Sequence, residues 1–189
     1  WLQSTVPSSN VFVPQVGDQV WYFAAGHREL LTSNCDEKFM LIAEQKAPIL
    51  LTAASSSSGA LCDLESITYE LPNKLDGSPG GNVVIAMLKL IPMERGGVRP
   101  FSVAYWPTDC ADFVVPVEKV KRADNENWKQ GDQMYTLFSD GKYYSGHILS
   151  LRRGREGCPV WEGAEIKWDS GEISKVNIWE LERMNPTLR

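Results

Sequence analysis

Cysteine and histidine are scarce in this chain of 189 residues: four cysteines (Cys35, Cys62, Cys110, Cys158) and two histidines (His27, His147). The cysteines lie far apart, with no Cys-x-x-Cys pair, so a zinc site is not expected and the thiols are read as free in a reducing compartment. No stretch is long and apolar enough to span a bilayer, and none has the form of a signal peptide, so no membrane role is expected. Also missing are Gly-x-Ser-x-Gly, a phosphate-cradling glycine loop and a metal-spaced His/Glu pair. Acid pairs such as Asp109/Asp112 and Asp169/Glu172 are no more than any acidic chain offers. The expectation is a protein without catalysis and without a cofactor. Positive charge is short as well. A net charge of −5 argues against duplex nucleic acid as the main ligand and leaves room for a Lys/Arg-rich peptide. The clusters Lys119/Lys121/Arg122 and Arg152/Arg153/Arg155 read as solvated charge, and nucleic-acid binding through the second ranks last. An initiator Met is absent too, and the chain is expected to be a piece of a longer protein.

Aromatic residues are plentiful: seven Trp, six Tyr and six Phe. They concentrate beside turns in the stretch from Trp128 to Leu181. There, Asp140-Gly141 and Ser170-Gly171 separate short runs rich in aromatic and β-branched residues, the pattern of successive hairpins. Strands are expected over Gln133–Leu137, Tyr143–Leu151, Glu165–Asp169 and Ile173–Val176, with a one-turn helix or strand near Ile178–Leu181. Short strands and close turns suit an SH3-like barrel.

The first half is less regular. A Gly-Asp-Gln triplet opens both halves (Gly17-Asp18-Gln19-Val20-Trp21 and Gly131-Asp132-Gln133-Met134-Tyr135), which suggests an internal repeat. A strand over Gln19–Phe23 is followed by a short helix over Gly26–Leu31. A longer helix over Asn34–Lys46 is capped by Asn34 and stopped by Pro48. A serine-rich loop covers Ala53–Gly59. Strands follow over Glu65–Leu71 (Ile67, Tyr69 and Leu71 on one face), Val83–Ile91 and Pro100–Trp106. Then come a helical turn over Asp109–Phe113 and extended chain over Val114–Val120. Lys121–Gln130 forms a hydrophilic joint in which Trp128 packs.

Most aromatic side chains in a small barrel are core. A group converging on one mouth is the exception. In the second expected strand Tyr144 shares a face with Ile148, and in the third Trp168 shares one with Ile166. If the isoleucines fill the barrel, Tyr144 and Trp168 lie on the same side nearer the rim, where Phe138 also reaches. Such a trio attracts a methylated ammonium. Each contact is worth roughly 0.5–2 kcal/mol, so Asp169, Glu172 and Asp140 are needed as acidic partners for useful affinity. Trp21, Tyr22, Tyr105 and Trp106 form a second candidate aromatic surface.

Tyr143-Tyr144-Ser145-Gly146-His147-Ile148 with Ile166-Lys167-Trp168-Asp169-Ser170-Gly171 resembles the core of a Tudor domain. Phe138, Tyr144 and Trp168 stand where Tudor readers place cage aromatics. Ser170 replaces a carboxylate and Glu172 replaces an aromatic of that pattern. A wider resemblance runs through Phe12-Val13-Pro14-Gln15-Val16-Gly17-Asp18, Asp112-Phe113-Val114-Val115, Trp128-Lys129-Gln130-Gly131-Asp132 and Trp179-Glu180-Leu181-Glu182. These are similar to the bromodomain- and WD-repeat-containing protein family, in the cryptic Tudor region between its WD repeats and bromodomain. The resemblance implies a mainly β fold of two packed SH3-like or Tudor-like barrels, over residues 11–123 and 124–184, with short helices inserted in the first. It implies a nuclear chromatin reader that holds a methylated lysine of the histone H3 tail, the fourth residue, in a cage of Phe138, Tyr144, Trp168, Asp169 and Glu172. A spacer that positions the neighbouring WD repeats and bromodomain is the alternative.

Overall fold

The computed structural model describes residues 12–33, 57–70, 85–93, 99–105, 113–138, 140–154 and 157–183. It is mainly β, and the chain divides into two compact units with the changeover at Pro116/Val117. Ser57–Gly59 belongs with the second unit, through the bridge Ser58↔Val160. The helix expected over Asn34–Lys46, the turn expected over Asp109–Phe113 except for Phe113 itself, and Trp106 lie outside the described residues.

The first unit holds an antiparallel sheet. Its strands are β1 (Gln19–Tyr22), β2 (Ala60–Glu70), β3 (Ile85–Pro92), β4 (Phe101–Tyr105) and β5 (Val114–Pro116), ordered β4-β3-β2-β1-β5. Helix α1 (Ala24–Ser33) follows β1 directly. Val20 and Tyr22 are buried and Gln19 is exposed, the period of two that a half-buried strand requires. In β2 the register shifts between Leu64 and Ser66. Leu64 therefore faces the core, whereas Ile67 is half-buried and Tyr69 exposed. Inside the unit the Tyr22 hydroxyl lies 2.9 Å from His27 Nδ1, and the His27 ring stacks on Phe113 at 4.4 Å. Burial keeps the Tyr22 phenol protonated, and the direction of its hydrogen bond with Nδ1 follows the imidazole tautomer. The other ring nitrogen, Nε2, lies in the core without a hydrogen bond of ordinary geometry, and the Ala104 backbone nudges the imidazole toward its charged form against the larger effect of burial.

The second unit holds β6 (Gln133–Leu137), β7 (Tyr143–Leu151), β8 (Ala164–Trp168) and β9 (Ile173–Val176), in sequential order. Helix α2 (Val117–Asn125) packs on a 3₁₀ turn at Ile178–Glu180. Past that turn, Glu182 exchanges two backbone hydrogen bonds with Tyr135 of β6, at 2.9 and 2.8 Å. Among the described residues no ladder joins β9 back to β6, and β6 is met on that side by the single bridge from Glu182. The expectation of extended chain over Val114–Val120 is corrected here, since the strand ends at Pro116. Val117, Val120 and Ala123 recur every third residue on the buried face of α2, Glu118 favours its first turn and Arg122 its last. Valine favours strand by propensity, but the amphipathic spacing decides here.

The Gly-Asp repeat is structural. Gly17 and Gly131 both have positive φ, 93° and 88°, which side-chain-bearing residues rarely adopt. Gly17 N donates to Leu64 O (2.8 Å) and Leu64 N to Asp18 O (2.9 Å). Gly131 N donates to Ile148 O (2.7 Å) and Ile148 N to Asp132 O (3.0 Å). Each Asp carboxylate also accepts from a backbone N–H three residues earlier, that of Gln15 or Lys129. The partner strand shifts register just beyond, at Leu64/Ser66 and at Ile148/Ser150. Both sheets thus turn the same corner with the same parts.

Burial lowers the His27 pKa to about 4, so folding favours its neutral form. The unfolded chain binds the extra proton between that value and about 6.5, so stability is full above pH 6.5 and falls as pH drops toward 4. By linkage the loss reaches about 3 kcal/mol at the acid end. Thermal melts of wild type and His27→Leu between pH 7 and 5 check this. The wild-type melting temperature falls with acid more steeply than that of the variant.

Candidate functional site

The site forms where the β6–β7 and β8–β9 hairpins meet at one end of the second sheet. Gly141 (φ 76°) and Gly171 (φ 95°) allow the two tight turns. Phe138 N donates to Lys142 O at 3.0 Å and Gly141 N to Phe138 O at 2.9 Å. In the other hairpin Trp168 N donates to Glu172 O and Gly171 N to Trp168 O, both at 2.9 Å. The hairpins therefore fix Phe138 and Trp168 as the last residues before their turns.

Strand alternation sets the rest. Ile148 is buried and Tyr144, four residues earlier on the same face, is 44% exposed. Ile166 is fully buried and Trp168 is 8% exposed. Between these faces Gly146 pairs with Trp168. A Cβ at Gly146 would sit 2.7 Å from Lys167 O and 2.9 Å from Ile166 Cγ2, so the strands approach this closely only with glycine there. The Phe138 ring stands edge-on to Tyr144 (centroids 5.1 Å apart, 77°) and to Trp168 (5.5 Å, 68°). The three rings wall an open cavity of about 580 Å³ that is also lined by Asp140, Asp169 and Glu172.

Hydrogen bonds lock the walls. Trp168 Nε1–H donates to Ser174 Oγ at 2.7 Å, and the Tyr144 hydroxyl donates to Asp140 Oδ2 at 2.9 Å. That bond and the charge of Asp140 raise the Tyr144 pKa, holding the phenol neutral. The Asp169 carboxylate accepts from the Ser145 hydroxyl and lies 3.8 Å from His147 Nδ1. Glu172 lines the cavity with no ion-pair partner among the described residues. Electron-rich ring faces and nearby carboxylates in a cavity open to solvent are the surroundings a soft organic cation prefers.

Phe138, Tyr144, Trp168, Asp169 and Glu172 all line this one cavity. Sequence reasoning missed three lining residues, Tyr143, Ser145 and Ser174. The i, i+2 step from Glu172 to Ser174 was the available signal for the last. Of the second aromatic surface, only Trp21 and Tyr22 have described side chains. Tyr22 is 1% exposed and is committed to His27, because β1 turns that face inward. Trp21, on the opposite face, is half-buried, and the side chains of Tyr105 and Trp106 lie outside what is described.

The model of the BRWD/PHIP ancillary domain-like domain matches residues 10–188 of this sequence. The chain belongs to that family. A bromodomain and WD repeat-containing protein of Dictyostelium discoideum is 22% identical to the family member described here over 239 aligned positions. The alignment covers 96% of this BRWD/PHIP ancillary domain and 11% of that relative, so the chain spans about a tenth of the length of the protein it matches.

The BRWD/PHIP ancillary domain uses Trp168 as core and wall at once, and truncation separates it from its neighbours. Trp168→Ala removes a buried indole and is expected to cost about 3–5 kcal/mol. Tyr144→Ala and Phe138→Ala, at exposed positions, leave the unfolding free energy near that of wild type. Denaturant unfolding followed by circular dichroism measures all three.

Proposed function

We propose that this domain is a non-enzymatic chromatin reader that binds the N-terminal tail of histone H3 through a methylated lysine, the fourth residue, in the cage of Phe138, Tyr144 and Trp168. The observation that carries the reading is the Phe138 ring standing edge-on to both other aromatics over an acidic, solvent-open cavity. A trimethylammonium offers no N–H to donate, so it is held by ring faces and long-range charge. Lower methylation states keep an N–H that a carboxylate accepts, and the carboxylates of Glu172 and Asp169 line the cavity. A histone tail is basic, which matches the acidic rim and the net charge of −5. Membership of the BRWD/PHIP family, with a relative named for bromodomain and WD repeats, supports a nuclear setting beside those modules. The spacer reading gains nothing from Phe138 and Tyr144 rings left 42% and 44% exposed.

Calorimetric titration with H3-tail peptides tests the proposal. Peptides methylated on the fourth residue are expected to bind with constants from tens of micromolar to millimolar, and unmodified peptide at least about tenfold more weakly. Tyr144→Ala is expected to remove the methyl preference with the fold intact. Equal or absent heat for methylated and unmodified peptides would overturn the reading.

A further inference from the structure

The cavity opens beside a sheet edge. β9 pairs with β8 on one side, and among the described residues no strand pairs with its other side. In an antiparallel ladder, hydrogen-bonded pairs alternate with non-bonded ones. The Trp168 N–H to Glu172 O bond (2.9 Å) fixes the phase. Ile166/Ser174 and Ala164/Val176 then follow as hydrogen-bonded pairs in the observed register. Ile173 and Lys175 therefore direct their backbone N–H and C=O groups away from β8. Ile173, Ser174 and Lys175 are all exposed, so this edge is uncovered in the chain as described.

The edge also runs straight into the cavity. Glu172 and Ser174 both line it, and Ile173, 58% exposed, lies between them. A row of open backbone groups is a template for an extended peptide, whose affinity comes from main-chain bonds and whose specificity comes from side chains entering pockets. An added strand lies about 4.8 Å from β9 and sends every second side chain to the cavity face.

Resting on the methyl-lysine reading above, we propose that the tail binds as an added strand on β9, pairing with the outward backbone groups of Ile173 and Lys175 while its methylated lysine enters the cavity. The occupant is an extended basic segment, drawn by the carboxylates of Glu172 and Asp169. Helical or folded ligands do not satisfy the edge.

Proline offers a clean test, because an edge strand tolerates it where the lost N–H faces outward. Lys175→Pro deletes one outward donor and leaves the β8 ladder intact. It also removes a positive charge, which by itself would strengthen binding of a basic tail. Titrations use a synthetic H3 N-terminal peptide trimethylated on its fourth residue, with wild type, Lys175→Pro, Lys175→Ala and Tyr144→Ala. The expected result is a loss of about tenfold for Lys175→Pro and none for Lys175→Ala. A second series, with the same peptide backbone N-methylated one residue at a time, decides the matter if Lys175→Pro fails to fold. Loss of binding is expected at every second position. If wild type prefers the methylated peptide but neither Lys175→Pro nor any N-methyl position weakens it, the added strand is wrong and the cage reading stands. If wild type shows no methyl preference, both fall.

Discussion

The second unit depends on one ring. Trp168 is 8% exposed, packs at the end of the hydrophobic interior on the face of Ile166 and also forms a wall of the cavity. A single side chain serves both only if its orientation is fixed, and two features fix it. Its indole N–H is held by Ser174 from the next strand, and its cross-strand neighbour is Gly146, which has no side chain to push it aside. Phe138 then packs edge-on to it and Tyr144 edge-on to Phe138, so the position of every wall follows from this one. Pre-set walls matter energetically. Cation–π contacts of roughly 0.5–2 kcal/mol each yield useful affinity only when no ordering cost is subtracted at binding.

The frame that carries the ring is a repeated corner. A left-handed glycine and a capping aspartate tie each sheet's first strand to the middle of the next one, at Gly17-Asp18 and Gly131-Asp132. In the second unit this corner is braced from the C-terminal side. The Arg183 guanidinium lies 4.2 Å from the Trp128 ring centroid and bonds to the carboxylates of Glu126 and Asp132. In the first unit the corresponding interior is closed by the Tyr22–His27–Phe113 cluster, whose buried imidazole ties the unit's stability to pH. One corner therefore supports two interiors of different character.

Much of the second unit was legible in the sequence because its signals are local. Asp140-Gly141 and Ser170-Gly171 pin the hairpins, and a period of two then assigns Tyr144, Ile148, Ile166 and Trp168 to one face. Tyr144 and Trp168 follow from that assignment as rim neighbours, and Phe138 joins them because it stands at the end of the preceding strand. The failures were non-local. The run Val114-Val115-Pro116-Val117 reads as strand throughout, and only the recurrence of Val120 and Ala123 reveals where α2 begins. Tyr22 was placed on a surface because its alternation with Trp21 does not say which side faces inward. Its contact with His27 comes through the sharp passage from β1 into α1, five residues along the chain. Ser174 and Tyr143 were missed because cavity walls depend on how two hairpins meet, which no single strand pattern encodes.

The central claim is that a methylated ammonium enters the space bounded by Phe138, Tyr144 and Trp168. It is tested most directly by nuclear magnetic resonance of the ¹⁵N-labelled protein titrated with free trimethyllysine, and separately with lysine. The account predicts shifts of the Trp168 indole N–H and of backbone amides in the two hairpin turns, with trimethyllysine only. An unmoved Trp168 indole signal, or equal shifts with unmodified lysine, would contradict it.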